Sequence, residues 1–179
     1  MKKGILTKGF VLALAGIFIT SAILAQDDKS KRPSPPATAT GTVNGATITI
    51  NYSSPYVKGR KIWGELVPYD KVWRAGANEA TLFETSKDIK VEGKTLAAGK
   101  YSLYAIPGEK EWTIILNSAT GQWGINRDGT TTEDAAKDVL RVTVPSKKSA
   151  SFNERLKYTV DAKGFALLWE NVEVPVSIK

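Results

Sequence analysis

The chain has 179 residues, with 25 Lys and Arg against 18 Asp and Glu, and contains neither His nor Cys. Without imidazole or thiol there can be no Ser-His-Asp or Cys-His catalysis, no His- or Cys-based zinc site and no disulfide, so any general base must be Asp, Glu, Lys or Tyr. The net charge of +7 includes Lys2, Lys3 and Lys8 of the opening segment; the remaining cations are spread among acids along the chain, not gathered on a stripe with aromatics, and no nucleic-acid partner is expected.

Those three lysines precede an apolar stretch, Phe10–Leu24, relieved only by Gly16, Thr20 and Ser21, and Ala25 follows before a charged run. This is the pattern of a signal peptide over residues 1–25, cut after Ala25 to leave Gln26 first. A retained anchor is the rival, but the run is shorter than the ~20 residues needed to span hydrocarbon. A periplasmic or secreted product follows, with no membrane insertion after cleavage. With no Cys after the apolar run, it is not a lipoprotein.

Residues 26–36 (QDDKSKRPSPP) are polar and Pro-rich, and they predict a disordered tether. From Ala37 short apolar and polar residues alternate. Asn44-Gly45, a favoured type I′ pair, separates Thr40–Val43 from Ala46–Tyr52 and predicts a hairpin, with Ile48, Ile50 and Tyr52 on one face. Further strands are predicted at Thr81–Thr85, Ile89–Glu92, Lys100–Ile106 and Trp112–Asn117, joined by turns at Gly93-Lys94 and Pro107–Lys110. Leu140, Val142 and Val144 define another strand, as do Leu156, Tyr158 and Val160, and then Phe165, Leu167 and Trp169. Val172, Val174, Val176 and Ile178 build in the C-terminus, with Pro175 suggesting an edge.

Helix is predicted only as a turn near Thr132–Lys137, capped by Thr131 or Thr132, with a second near Gly64–Lys71. About nine or ten short strands without crossover helices predict an all-β fold over residues 37–179. The expected form is a single antiparallel β-sandwich or jelly-roll-like domain with one or two short helical turns. The sequence carries no signal for an oligomeric state.

The segment Gly124–Asp134 offers Asn126, Asp128, Gly129 and Asp134, but Gly124 stands where a calcium loop wants its first acid and Ala135 where it wants the bidentate Glu. A plain turn is expected, with no metal and no cofactor. The densest chemistry lies in Pro55–Thr81, where Lys58, Arg60, Trp63, Asp70, Trp73, Arg74, Asn78, Glu79 and Thr81 crowd together. Small residues at Gly76 and Ala77 would let guanidinium, amide and carboxylate groups converge on sugar hydroxyls or an anion. Arg60, Trp73, Arg74, Asn78, Glu79 and Thr81 are therefore the candidate ligand-binding residues. The plainer alternative is that Arg74 and Glu79 pair with each other or with backbone carbonyls while Trp63 and Trp73 seal the sandwich end. Most other aromatics sit in strand patterns as core; Trp123, between Gly121 and Gly124, is expected to be exposed. The loop Lys58-Gly59-Arg60-Lys61 could take a phosphate or acidic glycan, or simply be solvated.

Several blocks carry a resemblance. They are Ser54-Pro55 with Lys58-Gly59-Arg60, Trp63-Gly64, Val72 through Thr81, Leu96 through Leu103, Trp112 with Ile114-Ile115, Asp138 through Val142, and Leu168-Trp169-Glu170. With them the chain resembles the family catalogued as domain of unknown function 2911, from about Arg32 onward. The family pattern usually has Arg-Pro where Ser54-Pro55 stands, and often Pro at the position of Ala97. The resemblance implies export and a β-rich fold and supplies no catalytic residues.

Three functions fit these observations. The first is non-catalytic binding of a small or glycan-like polar ligand at the Trp73–Thr81 block. The second is a His-free hydrolase, such as a glycosidase, working with two carboxylates, for which Glu79 and Asp70 are the nearest pair. The third is a cell-envelope accessory or interaction protein using an exposed edge or loop face.

Overall fold

The computed structural model of the protein describes residues 28–179. The expected signal peptide and the first residues of the expected tether lie outside the described residues. The Asn44-Gly45 hairpin forms as its turn chemistry dictates: φ is 48° and 78° at the two positions, the left-handed geometry that Asn and Gly tolerate best. It joins β1 (Pro36–Val43) to β2 (Ala46–Ser53) with Val43 opposite Ala46. Ile48 and Ile50 are fully buried, and Thr47 and Asn51 on either side of them are exposed.

After a long loop over residues 54–80, the chain returns as β3 (Thr81–Thr85) and makes a small hairpin of β4 (Ile89–Val91) and β5 (Lys94–Leu96). It continues as β6 (Gly99–Ile106), β7 (Glu111–Asn117), β8 (Asp138–Pro145), β9 (Lys147–Asp161) and β10 (Gly164–Ser177). One layer is a six-stranded antiparallel sheet in the order β1-β2-β3-β6-β7-β8. The facing layer is the β9–β10 hairpin. It is extended by β4, through Lys90 N donating to Lys179 O (2.6 Å) and Lys179 N to Lys90 O (2.9 Å), and by a bridge between Tyr56 and Arg155. Rings meet between the layers: Phe83 of β3 lies 5.7 Å from Phe165 of β10, and Tyr52 of β2 lies 4.8 Å from Tyr158 of β9. This is an all-β antiparallel sandwich, and the alternating apolar positions of β2, β8 and β10 supply its core.

The structure differs from the expectations at four places. β9 begins at Lys147, well before the predicted Leu156, because its inward positions there are Ser149 and Asn153, which carry no apolar signal. Asn153 Nδ2 instead donates to Ser149 Oγ (2.8 Å) and to Glu170 O (3.2 Å) across the hairpin, where the register shifts on either side of Glu170. The helical turn near 132–137 is a 3-10 turn, Ala135–Lys137, capped by Asp134 and not by Thr131 or Thr132. No helix forms over Gly64–Lys71, where positive φ at Gly64 (81°) and Asp70 (57°) turns the chain away from helical geometry. Finally, residues 28–36 are anchored and do not form a free tether. Lys29–Lys31 is a 3-10 turn, Ser54 N donates to Pro35 O (2.9 Å), and Lys29 and Arg32 find an acidic partner on the long loop.

Candidate functional site

The loop 54–80 folds over one end of the sandwich, and its tryptophans set its position. Trp73 is locked to β6 by two backbone hydrogen bonds, Trp73 N to Ala105 O (2.7 Å) and Ala105 N to Trp73 O (2.9 Å). Its ring stacks on Trp169 of β10 at 6.0 Å and 14°. Trp63 meets Trp73, Trp112 and Trp169 edge to face at 5.9, 4.9 and 5.7 Å, the arrangement favoured by the ring quadrupole. Trp63 and Trp73 thus do seal the sandwich end, and they also hold the next residues of the loop against it.

Immediately after Trp73 the backbone turns sharply. Ala75 is fully buried at φ 53°, a conformation that costs a residue with a Cβ about 1–2 kcal/mol. Two buried hydroxyls hold it there: Thr81 Oγ1 (3.0 Å) and Tyr158 Oη (2.8 Å) both donate to Ala75 O. Burial raises the Tyr158 hydroxyl well above the usual tyrosine range, so it remains a donor. The turn directs Arg74 over Gly124. A Cβ on Gly124 would overlap Arg74 Cδ and lie 2.7 Å from Arg74 Cβ, so the missing side chain is what admits the arginine stem.

Arg74 is half-buried, its Nε is buried without a hydrogen-bond partner, and it has no ion pair among the described residues. Burial pulls its guanidinium down from the usual arginine range, and no neighbouring acid acts in the other direction. It faces a cleft of about 420 Å³, within the size range of small-molecule sites. Trp73, Trp169, Val67 and Pro55 supply apolar wall; Arg60, Lys71 and Asn78 supply polar groups; no Asp or Glu lines it.

Four of the six predicted residues therefore meet at one cleft: Arg60, Trp73, Arg74 and Asn78. Arg60 is exposed and held by its own loop, Nε donating to Val57 O (3.0 Å) and Nη2 to Tyr56 O. Asn78 adopts φ 58° and donates from Nδ2 to Ser34 O (2.9 Å). Thr81 does not reach the cleft; it is fully buried and serves the Ala75 turn. Glu79 faces a separate hollow with Lys29, Arg32 and Tyr52. Sequence reasoning missed Lys71, which sits inside the same charged block, and Ser34 and Trp169, which come to the cleft from the N-terminal segment and from β10. Trp169 carried only the alternation signal of a core residue.

Glu79 does not pair with Arg74. Its carboxylate accepts from Lys29 Nζ (2.8 Å) and from Arg32 Nη1 (3.0 and 3.2 Å). These contacts hold residues 28–36 in place, and Ser34 of that segment is a wall of the cleft. Glu79 thus acts on the site from behind. Burial alone would raise its carboxyl, but hydrogen bonds from Lys29, the backbone and Arg32 outweigh that and hold it at about 2, against the ordinary 4.5. A folded-state value below the unfolded one means that the clamp is fully present above pH 4.5 and is lost as the pH falls through about 2. Hydrogen exchange is expected to show amide protection over residues 29–34 declining across that window in the wild type and already weak at neutral pH in Glu79→Gln. Equal protection in the two proteins would show that the segment is held by other contacts.

The segment Gly124–Asp134 closes on itself as a turn. Asp128 Oδ1 accepts from Thr130 N (3.0 Å) and Thr130 Oγ1 (2.6 Å), and Ile125 bridges Thr131. Trp123 is 48% exposed, with the Arg32 guanidinium 5.9 Å from its ring. Asp70 is exposed and lines neither the Arg74 cleft nor the hollow faced by Glu79. No helix among the described residues is long and apolar enough to cross a membrane.

Comparison with curated proteins and with solved structures yields no match. The family described as "Protein of unknown function (DUF2911)" matches residues 34–178, which take in the loop 54–80, the Arg74 cleft and both layers of the sandwich. The chain belongs to that family.

Proposed function

We propose that this is a non-catalytic binding protein, exported to the periplasm or beyond, whose cleft beside Trp73, Arg74 and Asn78 takes a small polar ligand. The observation that carries this reading is Arg74: a half-buried guanidinium with an unpartnered, buried Nε at the wall of a cleft. A half-buried guanidinium with no ion pair among the described residues gains a charge-assisted hydrogen bond when an acceptor enters the cleft. The strained Ala75 next to it fits the same reading, since backbone strain collects where a site must be held in one geometry.

Two-carboxylate hydrolysis draws no support from this geometry. The cleft has no acid, and the hollow that Glu79 faces contains no second one, Asp70 lying elsewhere.

The test is a thermal-shift screen of wild type and Gly124→Ala against monosaccharides, sugar acids and sugar phosphates. A ligand at 100 times its Kd is expected to stabilise wild type by about 2.7 kcal/mol. Gly124→Ala, folded but with Arg74 displaced, is expected to lose that shift. A shift that persists in Gly124→Ala would place binding elsewhere, and no shift with any compound would remove the reading.

A further inference from the structure

The cleft shows one consistent chemical bias. Among the described residues three buried side-chain polar atoms have no hydrogen-bond partner: Trp63 Nε1, Arg74 Nε and Trp169 Nε1. All three are donors, and Arg74 and Trp169 line the cleft. Arg60 and Lys71 add two further cations, neither paired with a carboxylate among the described residues, while no Asp or Glu lines the cleft. Other cations of the fold do have acid partners, among them Lys29 and Arg32 with Glu79, Arg141 with Glu133 and Asp138, and Lys61 with Glu65. A cavity walled by three cations and by no carboxylate is complementary to an acceptor that carries negative charge.

We propose that the ligand is a small organic anion whose oxyanion group, a carboxylate or a phosphate, is held by Arg74, with Arg60 and Lys71 at the mouth. This rests on the reading of the cleft as a binding site and narrows it. The planar guanidinium forks onto two oxygens at once, and the partly buried setting, where solvent screens less, strengthens the contact. Trp73, Trp169, Val67 and Pro55 leave room for the body of the molecule beside the charged group.

The experiment is isothermal titration of the folded protein with four anions, namely inorganic phosphate, citrate, glucuronate and glucose 6-phosphate, and with glucose as the neutral counterpart. Wild type, Arg74→Gln, Arg74→Lys and Gly124→Ala are compared at low and raised salt. At least one anion is expected to bind wild type, glucose at the same concentration is not, and raised salt weakens binding. Arg74→Gln is expected to lose about 10-fold or more in affinity, the loss for a charge-assisted hydrogen bond. Arg74→Lys recovers part of it by keeping charge without the fork. Comparing glucuronate with glucose 6-phosphate separates carboxylate from phosphate. Equal binding of glucose and glucuronate, lost in Gly124→Ala, would overturn the anion preference and leave the binding reading standing. Anion binding unchanged in Arg74→Gln would reduce the site to a diffuse cationic surface and overturn the proposal. No binding by any of the four anions would also overturn it, and the neutral compounds of the thermal-shift screen would then decide the binding reading on their own.

Discussion

Trp169→Ala is expected to lower the free energy of unfolding by about 3–5 kcal/mol, the cost of deleting a large buried aromatic where the surroundings cannot collapse. Trp169 is almost fully buried, stacked on Trp73 and met edge-on by Trp63. Its partners are themselves fixed, Trp73 by its backbone hydrogen bonds to Ala105 and Trp63 by contact with Trp112. The loop rings also join the layers, since Trp63 and Trp73 each meet both Trp169 of β10 and Trp112 of β7 in the facing sheet. Denaturant unfolding checks this through the midpoint at constant slope. Trp169→Phe, which keeps an aromatic face and drops the unpaired N–H, should fall between wild type and Ala. A loss below about 1 kcal/mol for Ala would mean that the four rings are loosely packed.

Gly164→Ala is expected to cost more than about 3 kcal/mol, because the obstruction is backbone. Gly164 opens β10 with φ 146°, a region essentially confined to glycine. A Cβ there would overlap Val176 O and lie 2.9 Å from Ile178 N, whose hydrogen bond to Lys163 O (2.8 Å) pins the C-terminus. Relieving that overlap requires the last residues to lift away, taking with them the bridge from Ile178 to Val91 of β4. Gly93→Ala is the matched control: φ is 82° but nothing lies within 4 Å of the new Cβ, so only the left-handed penalty of about 1–2 kcal/mol applies. Thermal or denaturant unfolding of the two variants separates overlap from φ strain. Similar losses would show that the C-terminal residues yield easily.

The cleft was half legible before the fold was known. Arg60, Trp73, Arg74 and Asn78 stood out as a mixture that strands do not need, and the fold gathers them. Glu79 and Thr81 belonged to the same run of sequence, yet their side chains leave in other directions. Positive φ at Ala75 and Asn78 turns the chain twice within a few residues, so neighbours in sequence cease to share a face. The N-terminal segment has a composition that offers nothing to bury and predicts a tether. Its order comes from charge, through a glutamate 47 residues from Arg32 and 50 from Lys29, a pairing for which no local signal exists.

Composition and periodicity by themselves determined that this protein has no imidazole or thiol chemistry, and that it builds antiparallel strands whose apolar residues face one core. Each strand residue's burial follows from its own side chain and a period of two, so the pattern can be read locally. Only the tertiary structure decided which polar groups meet. Sheet register and the path of the loop 54–80 set Glu79 against Lys29 and Arg32 and left Arg74 facing a cleft with no acid in it. A charge has no period; its partner is whichever group the fold brings within a few ångströms, and that distance is fixed by contacts between segments far apart in the chain.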